Sequence, residues 1–128
     1  MKNTIMEQLG IEAVELTPER VVMKMPVTPK VHQPFGFLHG GASVVLAETA
    51  ASFGSFINLP PDRKVVLGLE INANHIRSKR DGVVFAHATP VHIGSSTMVW
   101  DIRIVDEQDQ LVCISRCTVA VPSERKNG

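Results

Sequence analysis

Residues 32–58 constrain this chain more than any other stretch. They read HQPFGFLHGGASVVLAETAASFGSFIN, a loop that passes through an HGG triplet into an apolar run. No proline interrupts that run before Pro60. Because Ala, Leu and Glu favour helix, the pattern predicts a buried helix from about Gly40 to about Asn58.

The predicted helix carries a single charge, Glu48, near its middle. At roughly 100° per residue, Gly41, Ser52 and Ser55 fall close to the direction of Glu48 and form a small, polar line. The opposite side is apolar and is expected to face the core: Ala42, Leu46, Ala50, Phe53 and Ile57. A lone acid beside a core is costly unless it is paired, hydrogen-bonded or protonated. Either the line is a solvated stripe, or its small residues leave room for a substrate to approach Glu48.

Length and charge narrow the class of protein. The chain has 128 residues, enough for one domain with a hydrophobic core. We predict a single domain over residues 1–128, with a disordered tail at 123–128. Lys and Arg together number 13, as do Asp and Glu, so the net charge is zero. Nucleic acid and anionic membranes attract basic proteins and are therefore not expected as partners.

Three further features of the sequence bear on the cellular compartment of the protein. No apolar run reaches the roughly 18 residues of a spanning helix, and the N-terminus lacks the apolar core of a signal peptide. Cys113 and Cys117 lie on one face of a predicted strand, and we interpret them as buried, reduced thiols. Together these features predict a cytoplasmic protein.

The remaining periodicity predicts an α+β fold. Residues 2–9 favour a short helix that ends at Gly10, and residues 11–17 and 19–27 favour a hairpin. After the long helix, a meander of four strands is predicted at residues 65–77, 83–92, 98–104 and 111–121. Such a run favours a curved antiparallel sheet wrapped around one long central helix. Because one helix covers only one face of the sheet, self-association is expected.

The start of the central helix is a candidate site. His39, Gly40 and Gly41 present backbone N–H groups at the positive end of the helix dipole, which suits a carbonyl oxygen or a developing oxyanion. Gln33 on the preceding loop adds a donor, and His39 is placed to position a substrate or assist a leaving group. Alternatively, the two glycines only allow close packing of the helix.

Spacing along the helix indicates how these groups could act together. Glu48 suits a general base on water or a nucleophile towards an acyl carbon. It lies eight residues past Gly40, or about 12 Å along the axis, so one carbonyl cannot contact both. If both act on one substrate, Glu48 must come from a second, antiparallel copy of the helix. A two-fold dimer would supply two such composite sites.

Two weaker candidates follow the helix. His75 and Arg77 share a strand face, and Arg77, Lys79 and Arg80 form a basic patch that suits phosphate groups. The stretch 92–97 offers a glycine and three hydroxyls that could contact phosphate or ribose. A solvated turn and a plain bulge are the structural alternatives. Metal-protease, hydrolase-elbow and nucleotide motifs are absent from the sequence, and no metal site is predicted.

Several motifs in order carry a family resemblance. They are Gln33-Pro34-Phe35-Gly36, His39-Gly40-Gly41, Glu48, Ser52, the stretch GLEINANHIRS at 68–78, His92-Ile93-Gly94 and Trp100. In this order they resemble the hotdog-fold acyl-CoA thioesterases, and within them the aryl-CoA branch. The resemblance runs from about residue 8 to about residue 122.

The resemblance implies a hotdog fold with sheets joined edge to edge in dimers, which family members commonly pair into tetramers. Glu48, supplied by the partner subunit, would be the catalytic carboxylate. Gln33, His39 and the Gly40 N–H would bind the thioester carbonyl, and Ser52 would orient water or substrate. The CoA path would be lined by Gly68, His75, Arg77, Ser78, His92, Gly94, Ser95, Ser96 and Thr97. Family members often carry a basic group where Ser95 or Ser96 stands, which affects the phosphate contacts.

The expected reaction is hydrolysis of an aromatic acyl-CoA to the free acid and CoA, without a metal or organic cofactor. The alternatives are a non-catalytic acyl-CoA-binding hotdog module and a hotdog dehydratase of enoyl thioesters. An isolated carboxylate on a small polar line, downstream of HGG, favours hydrolysis. The sequence leaves the acyl group open.

Overall fold

The computed structural model describes residues 2–123 and contains one antiparallel sheet and one long helix. The elements are α1 (Ile5–Leu9), β1 (Glu12–Thr17), β2 (Arg20–Pro26), a short 3-10 helix (Pro29–Val31), α2 (Gly40–Ile57), β3 (Leu67–His75), β4 (Val83–Ile93), β5 (Thr97–Val105) and β6 (Leu111–Ala120). Apart from the start of α1, the predicted helices and strands end within a residue or two of their predicted bounds, and the 3-10 helix was not predicted. The curved sheet packs around α2 and confirms the predicted α+β hotdog architecture. All but the first residue of the predicted tail at 123–128 lies outside the described residues.

Strand order differs from the predicted four-strand meander. The order across the sheet is β1-β2-β4-β5-β6-β3. Strands β4, β5 and β6 do form a meander, but β3 pairs with β6, with Ala73 opposite Ser115. The prediction for β3 was wrong because alternation identifies a strand but not its neighbour. Strand β3 is therefore an edge of the sheet, and its apolar Leu67 and Leu69 remain 56% and 64% exposed.

The buried face of α2 agrees with the prediction at Leu46 and Ala50 and differs from it elsewhere. The residues of α2 that are buried are mostly small: Ser43, Leu46, Ala47, Ala50, Ala51, Gly54 and Ser55. Phe53 is only half-buried and Ile57 is exposed, although both were predicted to face the core. Small residues face the sheet because the helix lies very close to it; a Cβ at Gly54 would stand 2.5 Å from the Trp100 ring.

Ser55 was predicted to share the polar line of Glu48, and this was wrong. It is fully buried, and its hydroxyl accepts a hydrogen bond of 2.8 Å from the indole N–H of Trp100. A buried indole donor requires such a partner. Ser55 is therefore a structural residue of the core.

Helix α2 is long and apolar enough to cross a membrane by length and composition, with 18 residues and a mean hydropathy of 1.2. No spanning segment was predicted from the sequence. Its sheet-facing side, however, belongs to the core around Leu46, Ala50 and Trp100. The apolar character of α2 is accounted for by its position inside the sheet.

We expect Ser55→Ala to lower the free energy of unfolding by about 1–3 kcal/mol, because the buried Trp100 N–H loses its acceptor. Urea denaturation measures the change. The control is Ser52→Ala, which removes a half-buried hydroxyl with no hydrogen-bond partner among the described residues. Equal destabilisation by both changes would contradict the role given to the Ser55 bond.

Candidate active site

The first turn of α2 leaves one backbone donor free. The Nδ1 atom of His39, the N-cap residue, accepts from the Gly41 N–H at 2.8 Å. The N–H groups of Ala42 and Ser43 both donate to the His39 carbonyl, at 3.0 and 3.3 Å. Within the described residues, no group accepts from the Gly40 N–H. The positive, N-terminal end of the helix therefore presents one donor that is unpaired within the described residues, the Gly40 N–H.

The His39 side chain caps the first turn of α2. Because Nδ1 accepts from Gly41, the proton of the neutral ring lies on Nε2. The ring holds the first turn in place and is exposed. Only Nε2 remains available to a substrate, and contact with a thioester carbonyl remains a prediction.

Gln33 is held by its own loop in an orientation that suits a donor. Its Oε1 atom accepts from the Phe35 N–H at 2.7 Å and from the Phe37 N–H at 3.1 Å. Since two donors occupy that oxygen, the amide NH₂ group is the part of Gln33 left for a ligand. Gln33 and Gly40 line the same cavity, so two donors converge there.

We call this cavity the donor cavity; its volume is about 370 Å³. The residues predicted for the site that line it are Gln33, Gly40, His75, Arg77 and Ser78. The His75 ring packs directly over the helix start, since a Cβ at Gly40 would stand 2.7 Å from Nε2 of His75. Glycine at this position thus allows the β3 histidine to approach the free donor.

Two of the three side chains in the predicted basic patch have partners in the structure. Lys79 pairs with Glu107 at 2.6 Å, and this bond, together with backbone N–H groups that include that of Val83, lowers the pKa of Glu107 to about 2. Arg80 lies over the Phe37 ring, 4.3 Å from its centroid. Among the three basic residues, Arg77 alone has no described partner. Lys79 and Arg80 therefore hold the loops around the donor cavity, and Arg77 remains for a phosphate group.

Glu48 lines a second cavity, of about 390 Å³, together with Ser52. We call it the carboxylate cavity. The Glu48 carboxylate lies against Gly68 of β3, where a Cβ would overlap with its Oε2 atom. Burial raises the pKa of the Cys117 thiol to about 12, and the charges of Glu48 and Glu70 act in the same direction. Cys117 and its neighbour Cys113 are buried and unpaired, as predicted.

In one chain the two halves of the predicted site are separate. None of the residues that line the donor cavity also lines the carboxylate cavity. About 12 Å of helix separates Gly40 from Glu48, as their spacing requires. This arrangement is what the composite-site hypothesis predicts for a single subunit.

The structure does not bring the stretch 92–97 into either cavity. Strand β4 continues to Ile93, and a tight turn follows in which the Gly94 N–H donates to the Thr97 carbonyl at 2.9 Å. His92, Ser95 and Ser96 are exposed on this turn. A role for these residues in CoA binding remains a prediction. Residues 2–123 contain no group of three or more His, Cys, Asp or Glu side chains that could hold a metal ion.

Sequence reasoning missed most of the lining of the carboxylate cavity. Ile5 and Met6 of α1 line it, as do Val45, Thr49 and Phe53 of α2. Helical periodicity places Val45 and Thr49 on the Ser52 side of α2 and could have identified them. The contribution of α1 depends on a contact between distant parts of the chain, for which the sequence carries no signal.

The curved sheet wrapped around one long helix is the fold of solved hotdog thioesterases. A family model described as the thioesterase superfamily matches residues 35–113. The chain belongs to this superfamily, and it is a thioester hydrolase with the hotdog fold.

Named relatives extend over almost the whole chain. The 1,4-dihydroxy-2-naphthoyl-CoA hydrolase of Listeria monocytogenes is 56% identical, covering 95% of this chain and 98% of the relative. The Escherichia coli protein of the same name is 48% identical, covering 90% of this chain and 79% of the relative. A thioesterase structure from Haemophilus influenzae superposes with a TM-score of 0.92 at 41% identity, covering 99% of this chain and 89% of that chain.

We expect Gln33→Glu to lower kcat by about 10²–10³-fold, because it removes an oxyanion donor and places a negative charge in its position. The variant keeps the oxygen that accepts from Phe35 and Phe37, so the loop and the melting temperature should be preserved. Steady-state kinetics with a thiol-release assay measures the effect. A rate near that of the wild type would exclude Gln33 as a donor.

Proposed function

We propose that this enzyme hydrolyses an aromatic acyl-CoA to the free acid and CoA in the cytoplasm, with 1,4-dihydroxy-2-naphthoyl-CoA of menaquinone synthesis as its substrate. The observation that carries the proposal is the pair of half-sites: two free donors in one cavity and a lone carboxylate in another, mostly apolar one. The name of the Listeria relative supports this choice of substrate.

In this mechanism the thioester oxygen accepts from the Gly40 N–H and the Gln33 amide. Both are fixed before the substrate arrives, so they stabilise the charge that develops on the oxygen as the acyl carbon becomes tetrahedral. Glu48 of the partner subunit acts on the same carbon, either by taking a proton from water or by direct attack. The C–S bond then breaks, CoA leaves as the thiolate and takes up a proton, and the acid is released.

CoA is bound on the donor side of the site. Arg77 lines the donor cavity with a side chain that has no partner among residues 2–123, and it suits a phosphate group; His75 and Ser78 line the same cavity. The acyl group then extends towards the carboxylate cavity of the partner. The reaction requires no metal ion or organic cofactor, since the thioester is itself reactive towards an activated oxygen nucleophile.

The proposed assembly is a dimer with shared sites, paired further into a tetramer. The free edge of β3 supports it, because exposed apolar side chains such as Leu67 and Leu69 at an unpaired edge are normally covered by another strand. Edge-to-edge pairing of β3 with its two-fold copy would also bring Gly68, and the Glu48 carboxylate that lies on it, close to the interface.

A substrate panel tests the proposal. Thiol release is measured with 1,4-dihydroxy-2-naphthoyl-CoA, benzoyl-CoA, hexanoyl-CoA and acetyl-CoA, and water addition is measured with crotonyl-CoA. We expect kcat/KM to be highest for the naphthoyl thioester. Higher values for the aliphatic thioesters would overturn the aromatic assignment. Tight binding without thiol release would indicate a binding module, and hydration of crotonyl-CoA would indicate a dehydratase.

A further inference from the structure

The short N-terminal helix α1 is fixed at both ends, although it has only five residues. Thr4 caps its start by accepting from the Glu7 N–H, and Gly10 ends it with a positive φ of 72°. Met6 is buried in the hydrophobic core and anchors the helix. Ile5, the preceding residue, is 55% exposed, so core packing does not account for its apolar side chain.

Ile5 instead faces the carboxylate cavity. Ile5 and Met6 form one side of it, and Val45, Thr49 and Phe53 of α2 form the other. The Thr49 hydroxyl donates to the Val45 carbonyl at 2.6 Å, so its polar atom is already satisfied. Apart from Glu48 and Ser52, the lining is therefore apolar in character. The volume of about 390 Å³ lies within the range of small-molecule sites.

We propose that α1 is the outer wall of the acyl-binding chamber and that Ile5 sets the size of the acyl group the enzyme accepts. The inference rests on the proposed function, since it requires the acyl carbon to be at Glu48. An acyl group bonded to that carbon, with CoA leaving towards the donor cavity, extends into the remaining space. The space beside Glu48 is this chamber, and its apolar walls suit a flat hydrocarbon ring or chain.

Ile5 is the wall residue best suited to control size. Met6 belongs to the core, and Val45 and Phe53 pack against it, so changes of size at these positions also affect core packing. Ile5 lies at the exposed rim, where a larger side chain narrows the chamber and a smaller one opens it. Pocket contacts of this kind change relative rates between acyl groups and leave the chemical step unaltered.

The test compares Ile5→Trp, Ile5→Ala and a control, Gln8→Trp, which adds the same ring to an exposed position of α1 outside the chamber. Rates are measured on a series of acyl-CoAs of increasing size that the wild type hydrolyses. For Ile5→Trp we expect kcat/KM for the largest acyl group to fall by about tenfold or more relative to the smallest. For Ile5→Ala the ratio should shift the opposite way, and Gln8→Trp should leave it unchanged.

The ratio in question is kcat/KM for the largest acyl group divided by kcat/KM for the smallest. If it stays at the wild-type value in both Ile5 variants, the proposal is overturned. Equal changes of this ratio in Ile5→Trp and Gln8→Trp would also overturn it. Melting temperatures identify variants that have lost α1, and in that case Ile5→Val replaces Ile5→Ala. The proposed function is contradicted by different results: a preference of the wild type for aliphatic acyl-CoAs, or an unchanged rate in Glu48→Ala. The Ile5 ratios can be measured on either class of substrate, so the two failures are distinct.

Discussion

Replacing Glu48 with alanine is expected to lower kcat by about 10³-fold, within the range for loss of a general base, while KM stays close to its wild-type value. Among the described residues that line the carboxylate cavity, Glu48 alone is charged, so its removal deletes the proposed reacting group. Steady-state kinetics on the best acyl-CoA substrate measures both constants.

The matched control is Glu48→Gln, which keeps the size and hydrogen-bonding capacity of the side chain but removes its charge and basicity. It should lose as much activity as Glu48→Ala. If Glu48→Gln were nearly as active as the wild type, Glu48 would be a structural residue. In a single turnover in heavy-oxygen water, label that enters the Glu48 carboxylate would support direct attack over general-base catalysis.

Mixing two inactive variants should restore about a quarter of the wild-type activity if dimers share their sites. One subunit carries Glu48→Ala and the other carries Gly40→Val, whose side chain would collide with the His75 ring over the donor cavity. A heterodimer then has one site with both an intact Glu48 and an intact Gly40. Random assembly makes half of the dimers mixed, and each of these has one active site of two.

A second mixture serves as the control. Gly40→Val and Gln33→Glu both damage the donor half of the site, so their heterodimers contain no intact site and should show no recovery. Co-expression or joint refolding produces each mixture. If Glu48→Ala with Gly40→Val also failed to recover while mixed dimers were present, the carboxylate and the donors would belong to the same subunit.

Much of the candidate site was accessible from local sequence. The helix start, the free donor at Gly40 and the lone Glu48 depend on residues that are neighbours in the chain, and the helical rise fixes their separation. The structure adds the detail that Gln33 is oriented by its own loop through the Phe35 and Phe37 N–H groups. It does not bring the stretch 92–97 to either cavity, and that part of the predicted CoA path awaits a test.

The errors concern contacts between distant residues. Ser55 was assigned to the polar line because a helical wheel gives directions but not the element that each direction meets; its partner is Trp100, on β5. The wheel correctly placed Leu46 and Ala50 in the core face, but it also placed Phe53 there. Packing reversed this choice, because only small side chains allow α2 to lie so close to the sheet.

The sequence by itself therefore determined the elements and the class of the fold, and it predicted a site divided between two copies of the helix at residues 40–57. These follow from propensity, periodicity and rise, which act over a few residues. Only the tertiary structure decided that β3 is an edge strand, that Ser55 belongs to the core and that α1 lines the chamber beside Glu48. Each of these depends on a long-range contact, whose partner the local pattern does not specify.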